Sequence, residues 1–149
     1  MQTIKVMSEI ETKTLARKLA QLLRPNSVIT LTGDLGVGKT TFTKGLGEAL
    51  GIKRTINSPT FTIVKSYHAE IPLHHIDAYR LEDSEEDIGF DDYFFDQAIT
   101  VVEWPQFIDS FLPKERLEIS IERLDEESRL FKLNPIGSYY EKVCEELVR

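Results

Sequence analysis

The sequence predicts an α/β domain, and three observations carry the prediction. A short β-rich run at 28–32 passes through a glycine-rich bend into an amphipathic helix. A further apolar run of strand length lies at 99–102, where a buried central strand would fit. Alternating segments near the C-terminus have hairpin spacing. With 149 residues, 41% hydrophobic and 29% charged, the chain is about one domain's length and can bury roughly 70% of its unfolded surface. No repeat or low-complexity tract is visible, and the 6 Pro and 8 Gly are scattered, so residues 1–149 are expected to form a single domain.

Taken in order, Ser8 and Glu11 have capping-box spacing, and Leu15, Leu19, Leu22 and Leu23 recur at helical intervals until Arg24-Pro25-Asn26 ends the run. This is a surface helix with one apolar stripe. After the strand at 28–32 and the glycines, Phe42, Leu46, Ala49 and Leu50 mark a second helix, which stops at Gly51. Beyond Ser58-Pro59, Phe61, Ile63, Lys65 and Tyr67 alternate onto one face, and 73–77 is a second strand after Pro72. The short link between them predicts an antiparallel pair. Residues 81–97 are acidic and aromatic, with Ser84 as a candidate helix cap. The run at 99–102 ends on Glu103. Leu117, Ile119 and Ile121 alternate with polar residues, as do Phe131 and Leu133 after a turn at 125–128, which gives the hairpin. A last helix carries Tyr140, Val143, Cys144 and Leu147 on one stripe.

Composition narrows the function. Lys and Arg number 18 against 25 Asp and Glu, a net charge of 18 − 25 = −7. That is the wrong sign for gripping nucleic acid by phosphate neutralisation alone. One cysteine cannot form an internal disulfide, and three histidines leave no ligand set for a structural zinc. No signal peptide or membrane span is recognisable, so a soluble cytoplasmic protein is expected.

The chemistry is concentrated in Gly33-Asp34-Leu35-Gly36-Val37-Gly38-Lys39-Thr40, followed by Thr41, which fits G-x-x-x-x-G-K-[ST] between a predicted strand and a predicted helix. A polyphosphate is strongly anionic, and successive N–H groups in a loop without bulky Cβ atoms can all point at it. The following helix adds its positive N-terminal end, Lys39 can reach between β- and γ-phosphates, and the Thr40 hydroxyl is placed to ligate Mg²⁺. Hydrolysis needs in addition a carboxylate on the metal side and a group that orients water. Glu103 ends a strand that, if parallel to 28–32, delivers its carboxylate to the loop's edge of the sheet. Asp77 ends its strand in the same manner and could polarise the water or hold the metal through one. Solvation or capping is the competing reading for both acids. His74 and His75 read as satisfied structural groups, Trp104 as a packing aromatic near the site mouth, and 82–87 as a solvated acidic face. Thr60 is either a switch hydroxyl near the γ-phosphate or the start of a strand.

Four blocks together, Gly33 to Thr41, Ser58-Pro59-Thr60-Phe61, His75-Ile76-Asp77-Ala78-Tyr79-Arg80 and Val102-Glu103-Trp104-Pro105, resemble the bacterial TsaE family in order and spacing over essentially the whole chain. The resemblance implies a P-loop NTPase-like three-layer sandwich, with a compact mixed β-sheet flanked by helices. It implies an ATPase that serves threonylcarbamoyladenosine formation in tRNA with the TsaB and TsaD proteins, meeting tRNA only through those partners. It also implies ATP and Mg²⁺ as cofactors, the metal held by Thr40 and Glu103, and a catalytic or switch role for Asp77 and Thr60 beside Lys39. Arg129, in the C-terminal hairpin, is a further candidate for nucleotide contact. The alternatives are a nucleotide-gated binding module that needs no hydrolysis and a small-molecule kinase. Such a kinase usually closes an arginine-bearing lid, and 81–97 contains no Arg. No Asn-Lys-x-Asp guanine-reading sequence occurs, which favours ATP over GTP.

Overall fold

Strand-period and helix-period apolar patterns alternate along the chain, and each segment buries its apolar face against one seven-stranded sheet. The structure is a computed structural model and describes residues 2–34, 36–53, 56, 63–81 and 89–149. Its elements are β1 (Gln2–Val6), α1 (Glu9–Leu22), β2 (Val28–Thr32), α2 (Lys39–Ala49), β3 (Val64–Tyr67), β4 (Leu73–Asp77), α3 (Phe90–Phe94), β5 (Ile99–Glu103), β6 (Arg116–Arg123), β7 (Arg129–Ile136) and α4 (Ser138–Val148). Short 3-10 segments occupy Tyr79–Leu81 and Pro105–Phe111.

The strand order is β1-β7-β6-β2-β5-β4-β3. The four strands β4, β5, β2 and β6 run parallel, while β3, β7 and β1 are each antiparallel to the neighbour they join. The sheet is therefore mixed, with its parallel core in the middle. Along β2 and β5 nearly every residue is buried, as expected of strands covered on both faces.

One face is covered by α1, α2 and α4, whose Leu15, Leu19, Phe42, Leu46, Val143 and Leu147 share a core with Ile29, Leu31, Val101, Leu117 and Phe131. The other face is covered by α3 and the two 3-10 segments, whose Leu81, Phe90, Phe94 and Ile108 pack on Val28, Ile76 and Val102. The three expected layers are present, and the third is thin. It stops short of β6 and β7, where Glu118, Ser120, Lys132 and Asn134 alternate outward and remain partly exposed.

Local signals behave as their chemistry requires. Ser8 caps α1, its Oγ accepting from the Glu11 N–H at 3.2 Å, while Glu11 Oε1 reaches back to the Met7 N–H at 3.2 Å. The α1–α2 contact is close at Gly45, where an added Cβ would stand 3.1 Å from both the Ala16 Cβ and the Lys13 Cα. Three expectations need correction. Ala49 is exposed and Leu50 only half-buried; the buried stripe of α2 runs through Phe42, Thr43, Gly45, Leu46 and Gly47 instead. Ile63 does not share a face with Tyr67: it lies at a bend ahead of β3 and packs with Val64 against the opposite cluster. The N-terminal residues, which carry no strand prediction, form β1 against β7. Phe61, Ser84 and the acidic run 82–87 lie outside the described residues. No described helix is long and apolar enough to cross a membrane.

Candidate active site

The loop after β2 takes its shape from its glycines. Gly33, at φ +152°, lies against β6, and a Cβ there would meet the Ile121 carbonyl oxygen and Val37 Cγ1, both at 2.8 Å. Gly36 and Gly38 adopt φ of +79° and +118°, with open space where a side chain would stand. Their role is conformational, turning the backbone through angles that side-chain-bearing residues rarely adopt. The Val37 N–H donates to the Asp34 carbonyl at 3.1 Å and closes the bend. Gly38 then caps α2 without a side-chain hydrogen bond, so the first N–H groups of the helix and its positive end face outward together.

Sheet topology brings the acids to this edge. Because β2, β5 and β4 are parallel, with Leu31 opposite Glu103 and Asp77 opposite Glu103, both carboxylates emerge where β2 turns into the loop, as strand ends in parallel sheets do. Lys39 is 6% exposed and Glu103 4% exposed, and Lys39 Nζ lies 3.7 Å from Glu103 Oε1. The ammonium also sits 4.7 Å from the centroid of the Trp104 ring. Trp104 in turn stacks on Phe107 and meets Tyr79 edge-on. The other Glu103 oxygen, Oε2, lies 2.5 Å from His75 Nε2.

Electrostatics separate the two acids. Burial acts most strongly on Glu103 and raises its pKa, but the hydrogen bond and charge of His75, joined by Lys39, outweigh it and hold the carboxyl below its ordinary range. At Asp77, burial and the charge of Glu103 push the carboxyl up, and the Tyr79 N–H bond to its Oδ1 at 3.0 Å offsets this only in part. The two neighbouring carboxyls are thus shifted in opposite directions.

Arg129 also reaches the loop. Its Nε donates to the Val37 carbonyl at 2.8 Å, while Nη1 donates to the carbonyls of Asp125, Glu126 and Ser128. The guanidinium therefore braces the loop against the β6–β7 turn. It also lines, with Thr12, Gly36, Gly38, Thr41 and Glu127, an open cleft of about 300 Å³ beside the helix end. The structure thus gathers Gly33, Asp34, Gly36, Val37, Gly38, Lys39, Thr40, Thr41, Asp77, Glu103 and Arg129 around one edge of the sheet. Leu35 and Thr60 lie outside the described residues.

Among the described residues no group of three or more His, Cys, Asp or Glu side chains forms a metal cage. The donors available at the loop are oxygens, the Thr40 hydroxyl and the Glu103 carboxylate. Oxygen donors of this kind would suit Mg²⁺, a hard cation that takes oxygen ligands. Of the two histidines, His74 is satisfied as expected, with Nδ1 2.7 Å from Ser66 Oγ and Nε2 2.8 Å from Asp96 Oδ2. His75 is satisfied at one nitrogen only: Nε2 meets Glu103, while Nδ1 has no partner among the described residues. The residue's place two before Asp77, on the same face of β4, was the available signal of the Glu103 contact.

Comparison with known proteins converges on one family. The model for the threonylcarbamoyl adenosine biosynthesis protein TsaE matches residues 6–131. The chain is 51% identical over 140 residues to the tRNA threonylcarbamoyladenosine biosynthesis protein TsaE of Bacillus subtilis, covering 93% of this chain and 89% of that one. It is 44% identical over 116 residues to the protein of the same name from Streptomyces coelicolor, covering 73% and 77%. The crystal structure of Bacillus subtilis YdiB superposes with a TM-score of 0.86 at 42% identity, covering 99% of this chain and 94% of that one.

Proposed function

The chain belongs to the TsaE family, and from that premise we propose that it is a Mg²⁺-dependent ATPase of tRNA threonylcarbamoyladenosine biosynthesis that acts with TsaB and TsaD partners in the cytoplasm. The observation that carries this reading is the convergence of Lys39 and Glu103 at the N-terminus of α2, buried and 3.7 Å apart. Lys39 offers its charge to the phosphates, and the uncapped amides of the loop and α2 offer hydrogen bonds to the same anion. Thr40 and Glu103 would hold Mg²⁺, which when bound neutralises phosphate charge in the loose transition state of phosphoryl transfer. Asp77, whose carboxyl is raised above its ordinary range by burial, orients a water from the neighbouring strand end. The cleft beside Thr12, Thr41 and Arg129 suits the nucleoside end. A net charge of −7 agrees with action on protein partners, with tRNA reached only through them.

The test is ATP turnover in a mixture reconstituted with TsaB, TsaD and tRNA. Lys39→Ala and Glu103→Ala should each lower phosphate release by about 100-fold or more, the range seen when a single transition-state contact is removed. Unchanged turnover in both variants would end this reading.

A further inference from the structure

His75 has an environment that core packing does not account for. Its side chain is wholly buried, yet Nδ1 has no hydrogen-bond partner among the described residues. A buried polar atom left in this state costs stability; an apolar side chain would avoid that cost but would leave the buried Glu103 Oε2 without its partner. The ring's polar contact is with Glu103, through Nε2 at 2.5 Å from Oε2. Strand register makes this contact possible: His75 lies opposite Val101 and Asp77 opposite Glu103, so both β4 residues share a face with the Glu103 carboxylate. The second carboxylate oxygen is held differently. Lys39 Nζ stands 3.7 Å from Oε1, an ion-pair distance longer than a hydrogen bond.

We propose that His75 is a positioning residue for the metal carboxylate: Nε2–H donates to Oε2, fixes the plane of the Glu103 carboxylate, and leaves Oε1 as the oxygen that turns to the cation. The inference rests on the reading of Thr40 and Glu103 as the Mg²⁺ ligands. Its logic is that of any ligand oriented by an outer hydrogen bond, where loss of the outer partner lowers metal affinity by about 10- to 100-fold.

The test measures ADP binding by calorimetry, once with Mg²⁺ and once with EDTA, so that the metal's contribution is read apart from turnover. His75→Gln keeps an amide nitrogen near the place of Nε2, whereas His75→Asn is one methylene short. His75→Asn should lose about 10-fold or more of the Mg²⁺-dependent gain in ADP affinity, with metal-free ADP binding within about threefold of wild type. His75→Gln should recover most of the gain. A purely packing role moves both affinities together and does not separate the two amides, and an undiminished Mg²⁺ gain in His75→Asn overturns the proposal. A second measurement needs no variant. In wild type the His75 Nε2–H resonance should persist, slowly exchanging, in the MgADP complex, and its loss on adding MgADP would also overturn the proposal. Wild type that binds ADP equally with and without Mg²⁺ would overturn the metal assignment itself, and wild type that binds no ADP would overturn the nucleotide reading, each taking this inference with it.

Discussion

The Lys39–Glu103 pair can be tested through stability alone, in EDTA and without nucleotide, by a double-mutant cycle of Lys39→Met and Glu103→Gln. At 3.7 Å and an effective dielectric of about 20, the Coulomb attraction is about 4 to 5 kcal/mol. Desolvation opposes it, because the two side chains are only 7% and 5% exposed. His75 remains beside Glu103 when Lys39 is removed. The coupling energy should therefore be about 1–3 kcal/mol. The single variants should also be unequal. Lys39→Met leaves Glu103 with His75, whereas Glu103→Gln leaves the ammonium, among the described residues, with the Trp104 ring and the charge of Asp77, and should cost about 3 kcal/mol or more. Urea unfolding at pH 7.5, followed by far-UV circular dichroism, reads both quantities. Additivity within about 0.5 kcal/mol, or Glu103→Gln proving no more costly than Lys39→Met, would refute the argument.

Four other outcomes follow from the structure. The Asp77 carboxyl is raised above 3.8 by burial and by Glu103, so its contribution to stability is full below that value and is lost as pH rises through the raised folded value. Asp77→Asn, which keeps an acceptor for the Tyr79 N–H, should raise the urea midpoint at neutral pH while lowering turnover. Glu103 has the opposite sign. Its lowered carboxyl stabilises fully above 4.5 and ceases to as pH falls through the folded value, so Glu103→Gln should flatten the acid limb of the stability profile. Arg129→Met removes the 2.8 Å bond to the Val37 carbonyl and should weaken MgADP binding roughly 5- to 30-fold, corresponding to about 1–2 kcal/mol, as calorimetry would record. Tyr140→Phe leaves the buried Val28 N–H without the hydroxyl it donates to at 2.9 Å. It should cost about 1–3 kcal/mol of stability, with nucleotide affinity unchanged.

What could be read from sequence was local. The helix with Ser8 at its head, the glycine bend, the pair β3–β4 and the hairpin β6–β7 each declare themselves within a few residues, through caps, turn residues or alternation. The placement of β2 between β5 and β6 joins segments far apart in sequence, and no periodicity encodes that adjacency. β1 escaped because only Val6 is buried along Gln2–Val6, and an edge strand with so little buried surface has a faint pattern. α3 is five residues long, too short for helical periodicity to register. At the site, the loop, Lys39, Thr40, Asp77 and Glu103 were legible because strand ends and glycines mark them. The tie from Arg129 to Val37 and the contact between His75 and Glu103 were not, since each spans elements whose register appears only on folding.

The close crossing of α1 and α2 at Gly45 bears on how the site can be altered. Gly45 lies six residues beyond Lys39, about 9 Å along the helix axis, and its neighbours are the Lys13 backbone and Ala16. α2 is a stiff rod, and its leading end is the proposed anion seat, so this crossing acts as a fulcrum. A side chain inserted at the crossing tilts or lifts the seat relative to Glu103, which is fixed in the sheet. If the proposed function holds, affinity and turnover are thereby open to tuning from a helix crossing six residues away from Lys39.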